Sequence, residues 1–134
     1  MVFGFSFWWV LLAAVVYFAI GAAWYSPVLF AKQWAKELGK KMGDMGDAKT
    51  AMVVTFLCML VLTMVEAYFI QATSTSGAWR GAYLGAKLWL GFVATTALVN
   101  NSFQGASKKL FAIDQGYHLV GMLLVGAILG WVMR

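Results

Sequence analysis

The chain has 134 residues, 63% of them hydrophobic types and 11% charged, with a mean hydropathy of +0.79 and a formal net charge of +5. Soluble domains carry about 25% charged and 45–50% apolar residues, so this composition excludes an ordinary water-soluble domain and points to the bilayer as solvent. The single Cys58 rules out an intramolecular disulfide, and no Lys/Arg-rich run is interleaved with aromatics in the manner of a nucleic-acid-binding surface.

The first apolar stretch runs from about Phe3 to Tyr25. Met1 to Phe7 holds no Lys or Arg, and the stretch is too long for a signal-peptide core, so it reads as a retained helix. It ends at Trp24-Tyr25-Ser26-Pro27, where the aromatics suit the membrane interface and the residue before proline is pushed out of the helical region. Residues 26–47 form a polar connection. Within it Phe30, Trp34, Leu38 and Met42 fall on one helical arc, and Lys32, Lys36 and Lys40 on another. That pattern predicts a short amphipathic helix lying in the interface, with Gly39, Gly43 and Gly46 ending it in a loop. The second span covers about 48–71, with Asp47 as its N-cap. Thr73 to Gly77 is a polar loop. The third span covers about 78–103 and the fourth about 109–133, joined by a tight turn at Gln104 to Lys108. The sequence thus predicts an all-α integral membrane bundle of four transmembrane helices in one domain, 1–134, with an interfacial helix between the first two.

Charge orients the bundle. Lys32, Lys36, Lys40, Lys41, Lys49, Lys108 and Lys109 fall on one side of the membrane, and only Arg80 and Arg134 on the other. The positive-inside rule puts the lysine side in the cytoplasm and both termini outside.

Polar residues within spans are costly and face the bundle or water. Here they are Glu66, Lys87, Asn100, Asn101, Asp114, Gln115 and His118. At about 1.5 Å rise per residue, Glu66 and Lys87 both lie roughly 8–10 Å inside the outer boundary. Spans two and three share a short loop and are expected to be antiparallel neighbours. Glu66 and Lys87 then either form a buried ion pair, reach separately to the headgroups, or line a wet site. Thr55, Met59 and Glu66 share one face, with Thr63 close by, while Lys87, Gly91, Ala94 and Asn101 share another. Near the cytoplasmic end Asn100 and Asn101 meet Asp114 and His118, whose i, i+4 spacing places them on one helix face. A histidine exchanges protons near neutral pH, so this group reads as a proton relay or polar pocket. Interhelical hydrogen bonding, at roughly 0.6 kcal/mol each, is the plainer account. One His and one carboxylate are too few for a metal site, and no cofactor motif is present.

Gly77, Gly81 and Gly85 repeat every four residues, as do Gly126 and Gly130, the spacing that lets helix backbones approach closely. No nucleophile elbow, paired-Cys motif, phosphate-binding loop or zinc-protease helix occurs, so no catalytic residue is assigned.

Two stretches carry a resemblance. Gly21-Ala22-Ala23-Trp24-Tyr25-Ser26-Pro27-Val28-Leu29-Phe30, followed by Trp34, is one. Leu110-Phe111-Ala112-Ile113-Asp114-Gln115-Gly116-Tyr117-His118-Leu119-Val120, followed by Gly126 to Gly130, is the other. With Trp89 to Val93 and Asn100 to Phe103 between them, the chain resembles the bacterial domain of unknown function 1761 family along nearly its whole length. The resemblance implies a small four-helix membrane protein of the bacterial inner membrane and no established activity. It also implies Asn as a common residue at the place of Asp114, which shifts weight to Asn100, Tyr117 and His118, with Tyr25 and Ser26 completing a pocket at the same level. Two functional expectations follow. One is a homo-oligomer that handles a small solute, ion or lipid through an intramembrane polar seam. The other is an accessory subunit of a larger membrane complex.

Overall fold

A computed structural model of the chain describes residues 2–39 and 48–133. The expected Asp47 cap, the Gly43 and Gly46 loop, Met42, Lys40, Lys41 and Arg134 lie outside the described residues. The elements are α1 (Phe7–Trp24), α2 (Ala31–Leu38), α3 (Ala48–Ala72), α4 (Ala78–Leu88), a π-helical segment (Trp89–Ala94), α5 (Thr95–Gln104) and α6 (Lys108–Met133). Four stretches are long and apolar enough to cross a membrane: Phe7–Trp24, Lys49–Ala72, Ala78–Gln104 and Lys108–Met133. The third is α4, the π segment and α5 in line. The protein is an all-α, multi-pass membrane bundle.

Helix α1 begins four residues later than the hydropathy alone indicates. Val2 and Phe5 exchange backbone hydrogen bonds of 2.7 and 3.0 Å across a tight turn. Phe3 and Gly4 there take positive φ angles of 47° and 83°. Apolar character does not distinguish such a turn from helix, whereas Gly4 in the left-handed region does. At the other end Ser26 closes α1: its hydroxyl donates to the Ala23 carbonyl at 2.7 Å. The Phe30 N–H returns to the Trp24 carbonyl at 3.0 Å, which folds α2 back against the bundle. Helix α2 buries Ala31 and Ala35, exposes Lys32 and Lys36, and stops at Gly39, whose φ is 72°.

Helix α6 is the hub, packing chiefly on α4, then on α1, with α3 closing against α1 and α6. Helix α6 runs antiparallel to α1 and α4 and parallel to α3, whose Met59 meets Tyr117 and whose Glu66 meets Gly126. Trp9 and Trp131 meet edge to face at 6.1 Å at one end of the α1–α6 pair, and Tyr25 meets Asp114 at the other. The core is Val10, Ala13 and Tyr17 of α1, Met59, Ala67 and Ile70 of α3, and Tyr117, Met122, Val125 and Leu129 of α6. In a bilayer this core owes little to the hydrophobic effect, because lipid is as apolar as leucine. Close packing and interhelical hydrogen bonds hold it instead.

The tightest crossing is α4 on α6. A Cβ added at Gly81 would collide with the Gly126 carbonyl, and one at Gly85 with the Met122 carbonyl. A Cβ at Gly130 would strike the Gly77 carbonyl. Gly77 has a φ of 103°, open only to glycine, and its N–H donates to the Gly130 carbonyl at 2.8 Å. This crossing corrects the expected arrangement of spans two and three. Although joined by a short loop, α3 and α4 touch at few positions, because the glycine face of α4 is taken up by α6.

Candidate functional site

The glycine crossing decides where the two outer charges go. Lys87 follows Gly85 by two residues, about 200° around the helix at roughly 100° per residue. With Gly85 turned inward, Lys87 is therefore exposed, and its ammonium lies 4.7 Å from the centroid of the Tyr83 ring. Glu66 is 1% exposed. Its Oε1 sits where a Cβ at Gly85 or Gly126 would come within 2.6 or 2.9 Å. The buried Glu66–Lys87 ion pair weighed from the sequence does not form. Neither carboxyl oxygen of Glu66 has a hydrogen-bond partner, nor does the buried Thr63 hydroxyl one turn earlier. Thr55, by contrast, turns its hydroxyl back to the Ala51 carbonyl at 2.7 Å.

Towards the other end of the bundle, polar groups of α1 and α6 interlock. The Tyr17 hydroxyl and His118 Nδ1 share a hydrogen bond of 2.6 Å. The Tyr25 hydroxyl donates to Asp114 Oδ1 at 2.6 Å. Tyr117 donates to the Tyr17 carbonyl at 3.1 Å and approaches the Met59 sulfur at 3.5 Å. Asp114 and His118, one turn apart on α6, lie in electrostatic contact, and the Trp34 indole of α2 faces the same carboxylate. Trp34 also packs edge-on against Tyr25 at 5.3 Å. Tyr25 caps the end of α1, outside the span. Burial, and next its bond to the Asp114 carboxylate, push its phenol above the usual range.

Glycines seat these rings. A Cβ at Gly21 would lie 2.8 Å from the Tyr117 hydroxyl, one at Gly121 would meet the Tyr17 ring at 2.5 Å, and one at Gly116 would meet the Trp24 ring at 3.1 Å. Two indoles pin the rest of the frame to α6. Trp24 Nε1 donates to the Ile113 carbonyl at 2.9 Å, and Trp89 Nε1 to the Gln115 carbonyl at 3.0 Å. Ser107 caps α6, accepting the Leu110 N–H at 3.0 Å and donating to Glu37 of α2 at 2.6 Å.

The polar residues read from the sequence thus divide. Glu66, Asp114, Tyr117, His118 and Tyr25 stand along one line through the interior, and Glu66 lies within electrostatic range of Tyr17. Lys87 and Asn100 are exposed and stand apart from it. Asn101 is half-buried and donates to the Ser107 carbonyl at 3.4 Å, a turn contact. Ser26 caps α1 and stays out of the pocket. Tyr17 is a member that the sequence reading passed over, while Thr63 was read only as close to the Glu66 face and Trp34 only as an apolar residue of the interfacial helix. Tyr17, Gly21 and Tyr25 recur every four residues on one face of α1, the same signal that exposed Asp114 and His118. Among the described residues no group of three or more His, Cys, Asp or Glu is placed to hold a metal ion.

No curated protein and no solved structure matches the chain. The family model described as "Protein of unknown function (DUF1761)" matches residues 8–130, a stretch that takes in the two middle spans whole, all but the outermost residues of the first and fourth, and every residue of the interior line. The chain belongs to the DUF1761 family of proteins of unknown function.

Proposed function

We propose that the protein handles protons together with a small ionic solute along the line Glu66, Tyr17, His118, Asp114 and Tyr25, working in the bacterial inner membrane as a homo-oligomer. The observation that carries this reading is the fully buried, unpartnered carboxyl of Glu66, set in electrostatic range of the hydrogen-bonded Tyr17–His118 pair. An unpaired carboxylate in an apolar medium is expensive, so Glu66 exists either as the neutral acid or beside a counter-charge. A tyrosine hydroxyl both donates and accepts, and imidazole exchanges its proton near neutral pH. Tyr17 O–H donates to neutral His118, and protonated His118 donates back to the same oxygen. Asp114, one turn along, offers the next acceptor, and Tyr25 and Trp34 hold it at the end of the bundle.

Reconstituted vesicles carrying a pH-sensitive dye test this. Wild-type protein is expected to dissipate an imposed proton gradient, and His118→Ala and Glu66→Gln to slow that flux by about a hundredfold, the low end of what a positioned proton-transfer group contributes. Flux equal to wild type in both variants sinks the reading.

One observation favours an accessory role instead. Helix α5 buries none of its residues, leaving a whole face of the third span open for another subunit. Persistent co-purification with a larger complex, together with absent flux, is the result that selects this reading.

A further inference from the structure

Beside Glu66 the bundle has an open groove of about 430 Å³ between α3 and the π-helical end of α4. Its walls are Leu62, Val65 and Phe69 on one side, Phe92 on the other and Met122 beneath, with Glu66 as the one ionisable lining residue. The π segment creates the second wall. A π turn carries an extra residue per turn, so the helix swings after Leu88, and such turns recur at functional sites. Val65 and Phe92 are exposed, so the groove is entered sideways from the membrane.

We propose that this groove binds a lipophilic cation without N–H donors, a quaternary ammonium or phosphonium ion with apolar substituents, with Glu66 as its counter-charge. The proposal rests on the reading of Glu66 as an ion-handling group and names the class of ion. Three observations converge. The volume falls within the roughly 300–1,000 Å³ of small-molecule sites. The lining is apolar, with the aromatic rings of Phe69 and Phe92 available to a cation's face. The Glu66 oxygens are closed off from the surface and unpartnered, so an ionised Glu66 would offer an entering cation its charge but no accessible hydrogen-bond acceptor. A primary amine entering it loses its hydrogen bonds to water and regains none. A cation whose charge is already wrapped in hydrocarbon loses far less. The exchange balances simply: the cation enters, the Glu66 O–H bond breaks, and the proton leaves as the carboxylate pairs with the cation. From α1 the titratable group facing Glu66 is Tyr17. The α4 cation Lys87 lies on the exposed side, and α6 contributes Met122 and the Gly126 backbone.

The test is calorimetric titration of the purified protein with tetraphenylphosphonium, with neutral triphenylphosphine oxide in parallel. Wild type is expected to bind the phosphonium ion at least about tenfold more tightly than the neutral compound. Because proton and cation compete for one carboxylate, affinity should fall as pH is lowered, approaching tenfold per unit where the acid form dominates. Glu66→Gln should abolish the preference for charge. Val65→Trp, which fills the groove from an exposed position, should weaken phosphonium binding. Equal binding of the two compounds, pH-independent affinity, or unchanged affinity in Val65→Trp overturns the proposal. Proton flux that needs Glu66, in a protein that ignores the phosphonium ion, overturns the ligand class alone and leaves the proton reading standing.

Discussion

Tyr17 is the largest fully buried side chain among the described residues. It is completely buried, packs on Gly121, meets Tyr117 edge-on at 5.3 Å and bonds His118. Tyr17→Phe keeps the ring and removes only the hydroxyl. The expected cost is about 1–2 kcal/mol, between the small average for membrane hydrogen bonds and the penalty for stranding a buried partner. Unfolding by denaturing detergent measures it, and a loss near zero would show that His118 finds another partner. Tyr25 gives a second residue-scale prediction, this one in pH. Its phenol is raised by burial and by Asp114, so in alkali the unfolded chain loses that proton first. The unfolded state then binds fewer protons than the folded one, and stability falls as pH rises past the ordinary tyrosine value of about 10. Tyr25→Phe should flatten that alkaline decline while lowering stability at neutral pH. A decline of the same slope in both proteins contradicts the assignment. At this scale the sequence was legible where spacing repeated, as with Asp114 and His118. It was opaque where a residue's role depended on which neighbour arrived. Tyr17 is an ordinary aromatic in an apolar run until α6 brings His118 beside it.

At the scale of elements, four apolar runs and two polar turns made four helices readable, because lipid leaves the backbone no alternative to internal hydrogen bonding. The pairing of those helices was not readable from loop length. A short loop brings the ends of α3 and α4 together, but the line of contact is chosen by surface shape, and the flattest surfaces are the glycine faces of α4 and α6. The π segment was likewise hidden, since Trp89 to Ala94 has the composition of any membrane helix. Glycine substitutions test this account within one span. Gly81→Ala places a methyl group against the Gly126 carbonyl and should cost about 1–3 kcal/mol, the usual range for overpacking. Gly91→Ala meets nothing within 4 Å and should change stability by less than about 1 kcal/mol. Similar losses at both positions, in the same detergent unfolding measurement, would mean that α4 does not dock through its glycine face.

For the whole molecule the open question of direction has a physical answer in the lysines. Lys32 and Lys36 on α2, Lys49 at the start of α3, and Lys108 and Lys109 at the start of α6 gather at the end where Tyr25 and Asp114 lie. Arg80 stands at the opposite end, with Lys87 exposed in the same half. The positive-inside rule predicts that the lysine-bearing segments stay on the cytoplasmic side. On this reading the Tyr25–Asp114 end of the interior line opens inward, and Glu66 lies towards the outer half. Single cysteines placed in a Cys58→Ala background decide it. Ser76→Cys, exposed in the loop before α4, should react with a membrane-impermeant maleimide on cells whose outer membrane alone has been opened. Lys36→Cys, exposed on α2, should react only after the inner membrane is breached. The reverse pattern turns the line around, so that protons entering from outside would meet Tyr25 and Asp114 before His118. Labelling of both sites in intact inner membrane, with each copy reactive at only one, would mean that the bundle inserts in both directions and that the lysines do not outweigh Arg80 and Lys87.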